Sequence, residues 1–160
     1  MIPPELDSPS WGRTQRVRSE LWLTGGRILQ GDLHLQYFAS AHWGPETVAD
    51  TLARSDEFFP VTGEDGQALL IAKAQVLAVS VASAAEPQDP ERLSAVRMTR
   101  ISVELSDGST HTGSVAPEQP PSRPRTLDFL NDRTGFFALR TAEFVRYINR
   151  AHVRVVIPLD

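Results

Sequence analysis

The sequence predicts a mostly β protein made of two similar halves, each with about five short strands and one short helix. Three observations predict it. Apolar and polar residues alternate over short stretches: Ile101, Val103 and Leu105 against Ser102, Glu104 and Ser106. That period of two is the mark of a half-buried strand. Turn signals follow such stretches at Thr24-Gly25-Gly26 and Asp107-Gly108, where a tight hairpin needs positive φ. Finally, a set of landmarks recurs in one order along the chain.

The recurrence is read from offsets. Gly26 and Gly31 match Gly108 and Gly113 at an offset of 82. Asp50-Thr-Leu52 matches Asp128-Phe-Leu130, and Phe58-Phe59 matches Phe136-Phe137, both at 78. Ile71-Ala-Lys-Ala-Gln-Val76 matches Ile148-Asn-Arg-Ala-His-Val153 at 77. The slowly shrinking offset places small length changes in loops, as a tandem duplication does.

Each half is justified in order. Leu33, Leu35 and Tyr37 alternate with His34, Gln36 and Phe38 in the return strand of the first hairpin. Gly31 and Gly113 permit a sharp bend or bulge there. Pro45 suits a first helical position, and Val48 and Leu52 share one helical face. The counterpart runs from Thr126 to Leu130, with Asn131 as its stop. Phe58-Phe59-Pro60-Val61 and Phe136-Phe137-Ala138-Leu139 read as short buried strands. The apolar run from Ala68 to Val81 breaks near Lys73-Ala74, where one strand bends into the next, and Phe144 to Leu159 repeats the pattern.

Composition sets the boundaries. Residues 1–12 hold three prolines and no apolar period and read as a mobile arm. The halves are residues 13–82 and 96–160, joined by a linker at 83–95. Four prolines at 117, 120, 121 and 124 demand an extended loop inside the second half.

Two segments of each half resemble the Sm-like family, whose bacterial branch is Hfq-like. Val103-Glu-Leu-Ser-Asp-Gly108 followed by Gly113 resembles the family's first motif, a hydrophobic strand ending in an acidic residue and glycine, with a second glycine bending the next strand. Ile148-Asn-Arg-Ala-His-Val153-Arg-Val-Val-Ile-Pro158 resembles its second motif and closing strand, and Ile71 to Val79 is the weaker copy. The resemblance implies two tandem Sm-like small bent β-barrels in a chain of bacterial origin. It also implies strand edges of the kind that build rings, one of them satisfied within the chain by the duplication. The helix here sits inside the repeat, whereas the family's helix precedes the first strand. Asn149 stands where the family often has Arg, and His152 is displaced by one residue from the Hfq-like basic–histidine pair.

The chain has 160 residues, 41% of them apolar, a net charge of −4 and no cysteine. Absence of cysteine excludes disulfide scaffolds and thiolate chemistry. The acidic balance argues against a general nucleic-acid coat. Residues 1–82 carry 6 basic and 10 acidic groups, residues 83–160 carry 10 of each. Fifteen of the sixteen cations are Arg, Lys73 being the exception. No secretory leader pattern opens the chain and no apolar run is long enough to span a membrane, so a soluble, cytoplasmic protein is expected.

Catalytic patterns are sparse. His34, His42, His111 and His152 are scattered and read as surface or strand residues; no metal or cofactor is expected. Asp50 and Asp128 occupy matching helix starts, which explains them without acid–base work. Phe58, Phe59, Phe136 and Phe137 read as core in preference to a base-stacking platform. One basic cluster stands out: Arg146, Arg150, His152 and Arg154, with Arg140 nearby. On a strand, 150, 152 and 154 project to one face, suited to phosphate or an acidic partner and to guarding an edge. Trp22, Tyr37 and Trp43 belong to the first half alone and are candidate protein contacts. The expected function is a non-enzymatic interaction or assembly module that binds a protein partner or forms a small ring. The alternative is an Hfq-like RNA-binding protein that uses Arg150, His152, Arg154 and Lys73, in which Arg150→Glu and Arg154→Glu abolish RNA binding and spare folding.

Overall fold

The alternation at 101–105 has its expected consequence: Ile101, Val103 and Leu105 are completely buried, while Ser102 and Glu104 stay partly in solvent. A computed structural model describes residues 14–37, 44, 46–86, 98–116, 126–132 and 135–159. In the first half, strands β1 (Thr14–Leu23) and β2 (Arg27–Gln36) form a hairpin, and helix α1 (Val48–Ala53) follows. Strands β3 (Phe58–Gly63), β4 (Ala68–Ala72) and β5 (Val76–Ala82) complete it. The second half repeats the order: β6 (Thr99–Leu105), β7 (Thr110–Val115), helix α2 (Thr126–Asp132), β8 (Phe136–Arg140), β9 (Phe144–Asn149) and β10 (Val153–Pro158).

The ten strands make one antiparallel sheet in the order β10-β6-β7-β8-β9-β5-β1-β2-β3-β4. Each half therefore has the same internal order, its fifth strand beside its first, then second, third and fourth. Among the described residues the sheet is not closed, and β10 and β4 are its two ends. The halves meet where β5 pairs with β9, with Ala78 opposite Ile148, Val79 opposite Tyr147, Ser80 opposite Arg146 and Val81 opposite Val145.

Two cores lie about this seam. The first gathers Val17, Leu21, Leu33, Val48, Leu52, Phe59 and Val61 with Val79 and Val81 of β5, and takes in Val145 and Tyr147 of β9. The second gathers Ile101, Val103, Leu105, Val115, Phe137 and Leu139 with Leu77 and Ala78 of β5 and Ile148 of β9. β5 and β9 each feed both cores: alternation divides Val145 and Tyr147 from Ile148 on β9, and on β5 a register shift opposite Trp22 and Leu23 leaves the adjacent Leu77 and Ala78 in one core. That explains the unbroken apolar run Val76-Leu-Ala-Val79, buried on both sides.

The two matched glycines mark close approach; the strand pairing runs through them without a bulge. A Cβ on Gly31 would lie 2.7 Å from the Thr62 carbonyl oxygen, and one on Gly113 2.8 Å from that of Arg140. Helix α1 starts on a capping box: the Thr47 hydroxyl accepts from the Asp50 amide, and the Asp50 carboxylate accepts from the Thr47 amide. Asp128 sits in the first turn of α2. Asn131 is inside that helix, one residue short of its end. The break at Lys73-Ala74 is a single 3₁₀ turn (Lys73–Gln75), repeated at Arg150–His152. The linker opens with another 3₁₀ turn, Ser83–Ala85. The arm at 1–12, the linker beyond Glu86 and most of the proline-rich loop fall outside the described residues. Among those described, no helix is long and apolar enough to cross a membrane.

Candidate functional site

Arg146 lies in the seam and is half-buried. Its guanidinium sits 4.3 Å from the Trp22 ring centroid and 4.2 Å from that of Phe144, a double cation–π contact. Its Nη1 donates to His111 Nδ1 at 2.7 Å. Arginine only donates, so Nδ1 accepts and the His111 proton is on Nε2. That proton faces Ser109 Oγ at 2.8 Å, and the Ser109 hydroxyl donates to Asp107 at 2.5 Å. Trp22 closes the other side: its ring lies 4.2 Å from His111, and its Nε1 donates to Glu20 at 2.5 Å. Burial and then the Arg146 cation push the His111 pKa down to about 4, against a smaller opposing pull from Asp107. Burial also lowers the Arg146 pKa, with Glu20 opposing. This cluster joins β1 to β7 and β9, so it ties the two halves together.

The basic row does not form a strand face. Arg150 and His152 belong to a 3₁₀ turn, where the alternation of a strand does not apply. Arg150 donates to the Phe136 and Phe129 carbonyls at 3.2 and 3.4 Å and lies over the Phe129 and Phe137 rings. His152 Nε2 donates 2.7 Å to the Ala74 carbonyl in the matching turn of the first half. Arg154 is exposed on β10 and donates to the Ser106 carbonyl at 2.6 Å. Lys73 Nζ donates to the Arg54 carbonyl at 2.7 Å, and burial lowers its pKa. Tyr37 is exposed. Trp22, packed in the seam, is not an exposed contact, and Trp43 lies outside the described residues. His111 is a strand residue of β7, within the surface-or-strand reading of the histidines, and it is buried in the seam cluster. Phe59 and Phe137 are core as expected, whereas Phe58 is exposed.

Between α1 and the β8–β9 face lies a cleft of about 860 Å³, lined by Ala49, Ala53, Phe136, Ala138, Tyr147 and Lys73 among others. Asn149 borders it; its amide donates to the Val76 carbonyl at 2.9 Å and its oxygen accepts from the Ala151 amide at 3.1 Å, which fixes the turn. Both cations here, Arg54 and Lys73, are engaged by the chain itself. Arg54 pairs with Glu46, whose other oxygen accepts from Thr51 and the Gln36 amide. Among the described residues no group of three His, Cys, Asp or Glu side chains could hold a metal ion.

Comparison with protein-family models, curated proteins and solved structures finds no match.

The two open ends of the sheet remain. On β10, Val155 and Ile157 are 45% and 55% exposed; on β4, Leu70 is 69% exposed. Their counterparts at an offset of 77 are Ala78, Ser80 and Tyr147, all in the seam. Sequence reasoning passed over these residues because they read as ordinary strand apolar positions. The offsets held the signal: β10 maps onto β5 and β4 maps onto β9, so the two strands with an open side are the counterparts of the two that pair across the seam.

Proposed function

We propose that this chain is a tandem Sm-like, non-enzymatic assembly module that joins other protein chains through its two open strand edges. Several features support the Sm-like reading: the doubled strand order, the matched glycines under the third strand of each half, and the matched turns of the second motif. The observation that carries the assembly reading is the correspondence between the seam and the free edges.

Backbone direction makes that correspondence specific. The Leu159 amide donates to the Arg100 carbonyl on β6. Amides alternate in side along a strand, so those of Ile157 and Leu159 point inward and that of Val156 points out. The Lys73 amide donates to the Glu57 carbonyl, toward β3, so the Leu70 amide points out of β4. In the seam the paired residues are Val79 and Tyr147. Their counterparts are Val156 and Leu70. The free edges thus present outward N–H and C=O groups at matching positions, and one chain's β10 fits another's β4 in the register of the seam. Pro158 carries no N–H, so this pairing ends there.

The RNA-binding alternative has less support, because Arg150, His152 and Lys73 each donate to carbonyls of the chain itself. The test is proline substitution at the two outward amides, Val156→Pro and Leu70→Pro. Each removes an edge donor and spares the internal ladder. Both variants are expected to keep the wild-type far-UV dichroism and to lose self-association in sedimentation equilibrium. Wild-type association in both would contradict the reading.

A further inference from the structure

The seam contains a second contact besides strand pairing. Helix α1 packs against β8, with Ala49 and Ala53 facing Phe136, Ala138 and Tyr147 across the cleft. The repeat offsets carry these to the free ends, with Ala53 alone mapping to a polar residue, Asn131. Ala49 maps to Leu127 on α2. Phe136 and Ala138 map to Phe58 and Pro60 on β3, and Tyr147 maps to Leu70 on β4. Tyr147 is 4% exposed under the cover of the first half, whereas Phe58 is 57% and Leu127 65% exposed. The rest of α2 is seated: Phe129 and Leu130 pack on the second core, and Phe129 meets Phe137 edge-on at 5.7 Å. Leu127 is the apolar side chain of that helix left facing water.

We infer that Leu127 of α2 docks on the Phe58–Leu70 face of a second copy of this chain, and that this helix-on-sheet contact selects the partner. The inference rests on the edge-pairing reading and adds to it. Strand pairing alone is permissive, since any backbone edge offers the same donors and acceptors. A side chain filling a shaped apolar face discriminates. The occupant is a second copy because the same chain supplies both surfaces at opposite ends of one sheet. The seam has already joined their counterparts. The contact is head-to-tail, so it joins copies in series.

The experiment compares the full chain with Leu127→Asp, Phe58→Asp and the milder Leu127→Ala and Phe58→Ala by light scattering over a concentration series, with Val156→Pro alongside. Far-UV dichroism checks each fold. Both aspartate variants are expected to weaken self-association at least tenfold, and the alanine variants to fall between them and wild type. An equimolar mixture of the two aspartate variants recovers a two-chain complex, because each keeps the surface the other lost. Wild-type association in both aspartate variants, with loss only in Val156→Pro, overturns the helix contact and leaves edge pairing standing. A wild-type chain that stays at 17.7 kDa at every concentration overturns both.

Discussion

His111 makes stability depend on pH, and the structure fixes the sign. The folded protein holds its imidazole neutral, with Nδ1 accepting from Arg146, and its pKa falls from 6.5 to about 4. The unfolded chain takes up a proton near 6.5. Below that value the unfolded state binds a proton that the folded state refuses, so stability falls as pH falls. From neutrality the loss reaches about 2 kcal/mol near pH 5 and about 3 kcal/mol near pH 4, where it levels off. His34 adds a contribution of the same sign, because burial, with Arg16 assisting, lowers its pKa too. For Asp107, burial raises the pKa, but hydrogen bonds from the Ser109 side chain and amide hold it below the usual carboxylate value. Its stabilisation is lost only as pH falls through that depressed value, outside the window from pH 7 to 5. The assay is urea unfolding at pH 7, 6 and 5, at one protein concentration, for wild type and His111→Gln. The glutamine oxygen still accepts from Arg146 but cannot titrate. Wild type is expected to lose about 2 kcal/mol more than the variant across that range. Equal slopes for the two proteins would refute the buried neutral imidazole and with it the account of the seam.

Two other substitutions test packing. Gly113→Ala puts a methyl group 2.8 Å from a backbone oxygen and 2.9 Å from Leu139, so chemical denaturation should show a loss of about 1–3 kcal/mol; a neutral result would mean that β7 and β8 are not in close contact. Tyr147→Phe removes the hydroxyl that donates to the buried Glu86 carboxylate at 2.7 Å. Burial and then that carboxylate raise the Tyr147 pKa, so the hydroxyl stays protonated as donor. The variant should lose about 1–3 kcal/mol at neutral pH, and adding Glu86→Leu should recover part of it, because the stranded carboxylate is then gone.

Strand existence was legible because burial on one face imposes a period of two that the sequence carries openly, as at 101–105. The repeated strand order was legible through Gly31 and Gly113, which stand at matching positions where the third strand of each half approaches closely. The misreading of the basic row came from local geometry. Asn149 caps a 3₁₀ turn through its side chain, and an Asn-Arg-Ala-His run has no pattern that distinguishes such a turn from a strand. His111 was hidden for a different reason. Its partners, Trp22 and Arg146, lie 89 and 35 residues away in sequence, and no local period reports a contact across a seam. Phe58 and Phe59 are adjacent, so a strand must send them to opposite faces; only Phe59 can enter the first core.

The central claim is that this chain joins protein to protein. The most direct measurement is the mass of the natively purified protein by light scattering, with absorbance at 260 and 280 nm read across the same peak. The account predicts a concentration-dependent mass above 17.7 kDa, with no excess absorbance at 260 nm and no change on nuclease treatment. A peak whose 260 nm absorbance is removed by nuclease or high salt would contradict it, and would return Arg154 and the matched turns at Lys73–Gln75 and Arg150–His152 to the centre of the function.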